Sequence, residues 1–182
     1  MWKLRKMTRR RLITLLSVVF VLALTTTTAL AARPRFSSAI DFSLGSLIAE
    51  GRLAGLGTQD VAVVLEATGI PVVSCTNQGG QQAPGQNPSK VSARGTEFLV
   101  HQTYTKNGST GFEVETNDPA PLSAKKMGCP NNTWTATIDF VFWTNATITV
   151  RADNETGAVL LQQDFVCVTT RTPANVSCTP IP

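Results

Sequence analysis

Residues 61–68 read Val-Ala-Val-Val-Leu-Glu-Ala-Thr, and their period decides the fold class. Val61, Val63, Leu65 and Ala67 alternate with Ala62, Val64, Glu66 and Thr68. That is the two-residue repeat of a strand, whose successive side chains point to opposite faces. A helix would instead need apolar positions three and four apart. Upstream, residues 46–54 set Leu47, Ala49, Gly51 and Leu53 against Ile48, Glu50 and Arg52. Gly55-Leu56-Gly57-Thr58-Gln59-Asp60 between them is a turn, so the two stretches predict a hairpin with one buried face.

Downstream, Gly69-Ile70-Pro71 breaks the run, and residues 72–76 form a short strand carrying Cys75. Residues 77–89 (NQGGQQAPGQNPS) hold no large apolar side chain and read as a loop longer than a compact domain ordinarily uses. Residues 91–105 are extended, with a break near Arg94-Gly95. Lys106-Asn107-Gly108-Ser109 signals a tight turn, because both central residues of such a turn need positive φ. The returning strand, 111–116, places Phe112 and Val114 on one face and Glu113 and Glu115 on the other. A Pro-rich crossing occupies 117–133, with one helical turn over 122–127. Strands follow at 134–142, 146–151 and 158–168, the last after a turn at 152–157.

This reading makes residues 32–45 an exposed lead-in, 46–168 the folded domain, and 169–182, with its three Pro, a tail. Seven or eight such strands, with no amphipathic helix, predict an all-β protein, an antiparallel β-sandwich of immunoglobulin-like class. Trp134, five residues after Cys129, loosely matches the Trp beside the disulfide of immunoglobulin domains, although their Cys–Trp–Cys spacing is absent.

The chain has 182 residues, 42% of them apolar and 15% charged, which allows one domain and excludes two full cores. Its formal charge of +4 is concentrated at the front, where Lys3, Arg5, Lys6, Arg9, Arg10 and Arg11 supply six of the sixteen basic residues. Beyond residue 31, ten basic side chains face twelve acidic ones, a net −2. A nucleic-acid binder needs a basic face to neutralise phosphates, so this class is excluded.

Residues 1–31 read as an export signal: a cationic start, thirteen largely apolar residues (LITLLSVVFVLAL, 12–24), and then Ala29-Leu30-Ala31 as a small-x-small cleavage pattern ending at Ala31. Thirteen apolar residues fall short of a bilayer span, but 12–32 together reach twenty-one, so an uncleaved N-terminal membrane anchor is the alternative. Thr8-Arg9-Arg10-Arg11-Leu12-Ile13 resembles a twin-arginine signal, while the greasy core favours the general secretory route. The expected destination is the cell surface or beyond, and contact with a membrane is expected only through an uncleaved N-terminal segment.

Cys75, Cys129, Cys167 and Cys178 all follow the signal, and an even count in an exported chain predicts two disulfides. Zinc sites usually show close ligand pairs, whereas here the spacings are 54, 38 and 11 residues and His101 is the only histidine. No metal or cofactor is implied. Three pairings are open. The reading leans to Cys75–Cys129 at the mouths of two Asn-rich loops, with Cys167–Cys178 closing a short loop that ties down the tail.

Two motifs carry a resemblance. Residues 75–88 (CTNQGGQQAPGQNP) and 129–136 (CPNNTWTA) are similar to a Cys-Thr-Asn-x-Gly-Gly-x-x-Ala-Pro-Gly-x-Asn-Pro loop and a later Cys-Pro-Asn-x-x-Trp-Thr-Ala strand start found in an uncharacterised group of exported bacterial proteins. The resemblance spans roughly residues 45–168. It implies a secreted bacterial β-domain and transfers no catalytic residue. On that reading the Asn-x-Ser/Thr sites at Asn107, Asn131, Asn145, Asn154 and Asn175 are products of an Asn/Thr-rich surface, whereas a eukaryotic host would make them glycan acceptors.

Catalytic signals are sparse. A Ser-His-Asp arrangement could use only His101, which lies in an extended run and reads as a solvated or hydrogen-bonded strand histidine. Gly108-Ser109-Thr110-Gly111 has the wrong spacing for a nucleophile elbow. Glu113 and Glu115 share a face two residues apart, within reach of the carboxylate separation that glycoside hydrolysis needs, although a solvated sheet face looks the same. Asp153-Asn154-Glu155 is explained by a turn without calcium. Aromatic platforms could bind sugar, and Trp143, at a strand end and opposite in parity to Phe140 and Phe142, is the best candidate for exposure.

The leading expectation is therefore a non-catalytic binding or structural module with an unknown surface or extracellular partner. Its site is expected around Gly79, Gly80, Gln81, Gln82 and Asn87, with the neighbouring loop that ends at Trp134. A secreted hydrolase using Glu113 and Glu115 and a membrane-anchored envelope component are the alternatives.

Overall fold

The alternating stretch at 61–68 opens a strand twice as long as the sequence suggests. In the structure, a computed structural model that describes residues 33–182, β4 runs Val61–Thr76 and pairs antiparallel with Thr135–Ala152 along its whole length. The strands before β4 are β1 (Arg35–Phe36), β2 (Asp41–Ser43) and β3 (Ile48–Ala54). After it come β5 (Gln82–Pro84), β6 (Val91–Leu99), β7 (Thr110–Glu115), β8 (Thr135–Ala152), β9 (Val159–Arg171) and β10 (Ala174–Pro180). The export signal and its cleavage position at Ala31 lie outside the described residues.

Two antiparallel sheets pack face to face as a β-sandwich. The larger has the order β10-β9-β8-β4, and beyond β4 its last column is shared by β6, opposite residues 61–69, and β5, opposite 74–76. In the smaller, β7 covers one edge of β3, so β1 and β2 share the other in series. Between the sheets lie Leu47, Ala49, Leu53, Phe112 and Val114 on one side, against Val63, Leu65, Ile148, Val150 and Phe165 on the other. Phe42 meets Phe165 edge-on at 5.0 Å between ring centroids, tying β2 to β9.

The sheets also touch at the β6–β7 corner. A Cβ on Gly95 would fall 1.8 Å from the Glu115 carbonyl oxygen, so only glycine fits there. The Glu97 carboxylate accepts the Glu113 backbone N–H at 2.7 Å, satisfying a donor on β7's outer edge. Desolvation of Glu97, only partly offset by that bond, raises its pKa above the ordinary glutamate value.

Several expectations are corrected. β3 and β4 do not form a hairpin: they belong to different sheets, and the 55–60 turn crosses between them, bonded to the Asn107 and Gly108 carbonyls. Alternation fixes which face of a strand is apolar but not its neighbour, and two apolar faces can stack as well as pair side by side. Gly69-Ile70-Pro71 does not end a strand. Gly69 lies at a register shift with Val141 and the Phe142 carbonyl close by, and Pro71 falls in the gap between β6 and β5, where its missing N–H has no partner to lose. Strands 134–142 and 146–151 are one strand for the same reason, its irregularities absorbed by β-bulges.

Residues 32–45 are not merely an exposed lead-in, because Phe36, Ile40, Phe42 and Leu44 pack on the main core from strands too short to show a period. Nor are 169–182 a tail. β9 continues to Arg171 and β10 returns along it with Val176 buried. Pro173 lies in the turn and Pro180 and Pro182 at the strand's end, so none interrupts the ladder. The stretch read as extended to 105 ends at Leu99 and continues as a 3-10 turn at His101–Thr103.

Both disulfides join the cysteines that the reading favoured. Cys75–Cys129 links β4 to the Pro-rich crossing, and Cys167–Cys178 joins directly opposed residues of β9 and β10. Neither bridges the two sheets, which is where the antibody-domain disulfide lies.

Candidate functional site

The loop expected to bind is held more tightly than its composition suggests. Asn77 organises its tip: the side-chain oxygen accepts the Gly79 and Gln81 N–H groups, each at 2.9 Å, and the amide nitrogen donates to the Gln81 side chain. Gly79, Gly80, Gln81 and Gln82 are exposed there, and Gln82 opens β5. The return segment is stitched to the crossing by Gln86 N–H to the Gly128 carbonyl at 2.9 Å and Ser89 N–H to the Lys126 carbonyl at 2.8 Å. Asn87 lies between them, exposed and with φ of 49°. Gly128 (φ 84°) is required, because a Cβ would fall 2.3 Å from the Gln86 carbonyl oxygen. Trp134 is half-buried against a second, smaller core built from Val73, Cys75, Val91, Ala124, Met127 and Cys129. It is a wall of that core.

The aromatic candidates do not converge on this loop. Trp143, expected to be exposed, is 3% exposed and belongs to the main core, because the bulges put Val141 and Trp143 inside and leave Phe140 and Phe142 on the outer face. Tyr104 lies at the far end of β4, its hydroxyl donating to the Gln59 and Leu99 carbonyls. Fifteen strand steps separate the two ends, roughly 50 Å.

A groove of about 460 Å3 lies elsewhere, at the join between the two cores. One wall is β8 from Ala136 to Val141, the second is the crossing at Asn117, Asp118, Pro119, Pro121 and Leu122, and the end is closed by Leu44, Gly45 and Ser46. The volume falls within the range usual for ligand clefts. β9 pairs with β8 only from Asn145 onward, and the β9 Thr169 hydroxyl donates to the Trp143 carbonyl at 3.0 Å, so among the described residues no strand covers the outer edge of β8 from Thr135 to Phe142. That edge presents unpaired backbone donors and acceptors on alternate residues. Asp118 and Asp139 are the charged residues of the lining, with no Lys or Arg among them. The Ser74 hydroxyl donates to Asp139 Oδ2 at 2.6 Å, and Oδ1 has no bond among the described residues.

The carboxylates proposed for hydrolysis lie on the outer face of the small sheet. Glu113 is directly opposite Glu50, which is opposite Asp41, and all three line one shallow hollow. Glu115 lies outside that hollow, two residues along β7. Among the described residues, no three His, Cys, Asp or Glu side chains converge at metal-holding distance. His101 Nδ1 lies 2.6 Å from Asp60 Oδ1, which also accepts the His101 backbone N–H at 2.7 Å. That backbone bond, then the ring contact, lowers the Asp60 pKa below the usual aspartate value.

No family model matches the chain, and no curated protein and no solved structure is significantly similar to it. Its chemistry is therefore read from its own geometry. The open edge of β8 was missed in the sequence because 134–142 reads as an ordinary strand, and openness is a property of the neighbours.

Proposed function

We propose that the chain is an exported, non-catalytic β-sandwich of immunoglobulin-like size that works at or beyond the cell surface as a binding module, one of the exported bacterial group its two motifs resemble. The observation that carries this reading is the groove along β8, a formed cleft with an apolar floor, two carboxylates and a free strand edge. Two disulfides and no free cysteine among the described residues suit an oxidising compartment outside the cytoplasm. The Asn77-organised tip, with Gly79, Gly80, Gln81 and Gln82, is a secondary contact surface on this reading.

The test is association of the exported protein, fluorescently labelled, with cells that lack it. Leu122→Arg fills the groove and should abolish association while leaving the far-UV circular dichroism spectrum unchanged. Gln81→Ala with Gln82→Ala tests the tip without removing β5, which deletion of 81–86 would do. Undiminished association in both variants would remove both surfaces. Turnover of a polysaccharide or glycoside that is lost on Glu113→Gln would replace the binding reading with the hydrolase.

A further inference from the structure

We propose that the groove binds an extended polypeptide segment as an added strand on the open edge of β8, and that the segment carries Lys or Arg among apolar residues. This rests on the groove being the module's binding site and names its ligand class.

Three features lead there together. From Thr135 to Phe142 the outer edge of β8 has no strand partner among the described residues, and a chain laid antiparallel or parallel to it would satisfy its backbone groups. Apolar side chains flank that edge: Ile138 and Val141 from β8, Leu44 at the end, and Leu122 with Pro119 and Pro121 opposite. Alternate side chains of an added strand would face this wall. The charge is one-sided, since Asp118 and Asp139 line the cleft with no cation among its lining residues, and Asp139 Oδ1 is unbonded among the described residues. A rim of this sign favours a cationic partner and repels an anionic one.

The same carboxylate argues against a second copy of this chain as the occupant. Two β8 edges paired about a twofold axis would bring Asp139 of each copy towards the other, at the bulge where Asp139 is the extra residue of β8 between Ile138 and Phe140. Charge and bulge are the devices by which open edges deter self-pairing. A sugar would use the carboxylates but leave the row of backbone groups unsatisfied.

The experiment titrates the full-length protein with the fluorescein-labelled peptide Lys-Val-Lys-Val-Lys-Val, with its Glu-Val counterpart, and with two versions of the Lys peptide N-methylated at odd or at even residues. Saturable binding of the Lys peptide is expected, and loss of binding in one of the N-methylated versions, because only one set of N–H groups faces β8. Asp118→Asn and Asp139→Asn should each weaken the Lys peptide about threefold and narrow its advantage over the Glu peptide. No saturable binding, or equal binding by both methylated versions, would overturn the proposal. So would a dimer cross-linked through β8 of both copies. If Leu122→Arg still blocks cell association while the peptides fail, the groove stands as the site and only the peptide is wrong. If neither responds, both fall.

Discussion

Replacing Cys75 and Cys129 together by Ala should destabilise the protein more than replacing Cys167 and Cys178, by roughly tenfold in the unfolding equilibrium from loop length alone and by more once packing is added. The first bridge joins residues 54 apart, the second residues 11 apart. Chain-entropy loss in the unfolded state grows with the logarithm of loop length, giving about 4.2 kcal/mol for the long loop and about 2.8 kcal/mol for the short one. Packing acts in the same direction. Cys75 is fully buried and Cys129 is 5% exposed inside the second core, so truncation of both leaves a void, whereas in the other bridge Cys167 is buried but Cys178 is only partly covered. A void of that kind adds roughly 1 kcal/mol. Urea unfolding of the two double variants, each with its other bridge intact, measures the difference. The long-loop variant should also show the steeper urea dependence, since its denatured chain is released further. Equal losses, or a larger loss from the short loop, would refute the argument and show that the second core stands without its crosslink.

Leu65→Ala, at a fully buried position between the sheets, should cost ~2–5 kcal/mol in the same assay, and a loss under ~1 kcal/mol would mean the sheets do not meet there. Gly95→Ala should be at least as damaging, because its Cβ would collide with the Glu115 carbonyl on the neighbouring sheet; near-native stability would place the β6–β7 corner further apart. Because the Glu97 pKa is raised on folding, its contribution is fully present below the unfolded glutamate pKa and is lost as pH rises through the folded value. Glu97→Gln keeps an acceptor for the Glu113 N–H, so its urea midpoint relative to wild type should be higher at pH 7 than at pH 4; a lower relative midpoint at pH 7 would reverse the sign. The lowered Asp60 pKa works oppositely, its stabilisation present above the unfolded aspartate pKa and lost as pH falls through the folded value. Asp60→Asn should therefore flatten the acid limb of the stability profile, and an unchanged limb would refute it.

Strand positions were legible in β3 and β7, which are longer than five residues, have one buried face and contain no proline. The Asn107-Gly108 turn was legible too, and both residues have positive φ, 65° and 59°. The cysteine partners could be favoured from loop positions, but nothing local in the sequence excluded the other pairings. The hidden features were those decided by neighbours at a distance. β4 and β8 read as broken because Gly69, Pro71 and Asn145 are poor strand residues in isolation, yet each is tolerated where the ladder is shifted or one-sided. β10 was hidden by its prolines, and β1 and β2 by their shortness. At the site, the composition of 77–89 correctly suggested an exposed polar tip, but not that Asn77 and the crossing would pin it.

The length of the β4–β8 ribbon explains why a groove exists where it does. Only the half that contains Val61, Val63, Leu65, Ile148 and Val150 has the small sheet packed over it. The other half, around Val73, Cys75, Ala136 and Ile138, extends past that sheet and exposes an apolar face that needs another cover. The crossing at 117–133 supplies it with Leu122, Ala124, Met127 and Cys129, although it contributes no strand. With no ladder to hold it, its attachment falls to the Cys75–Cys129 bridge and the bonds from Gln86 and Ser89 to Gly128 and Lys126. The bridge thus stands where a second sheet would have been, and the cleft forms where the two covers meet without overlapping. A cover on the face supplies no edge partner, and because β9 parts from β8 before Asn145, the outer edge of β8 beside the crossing stays open.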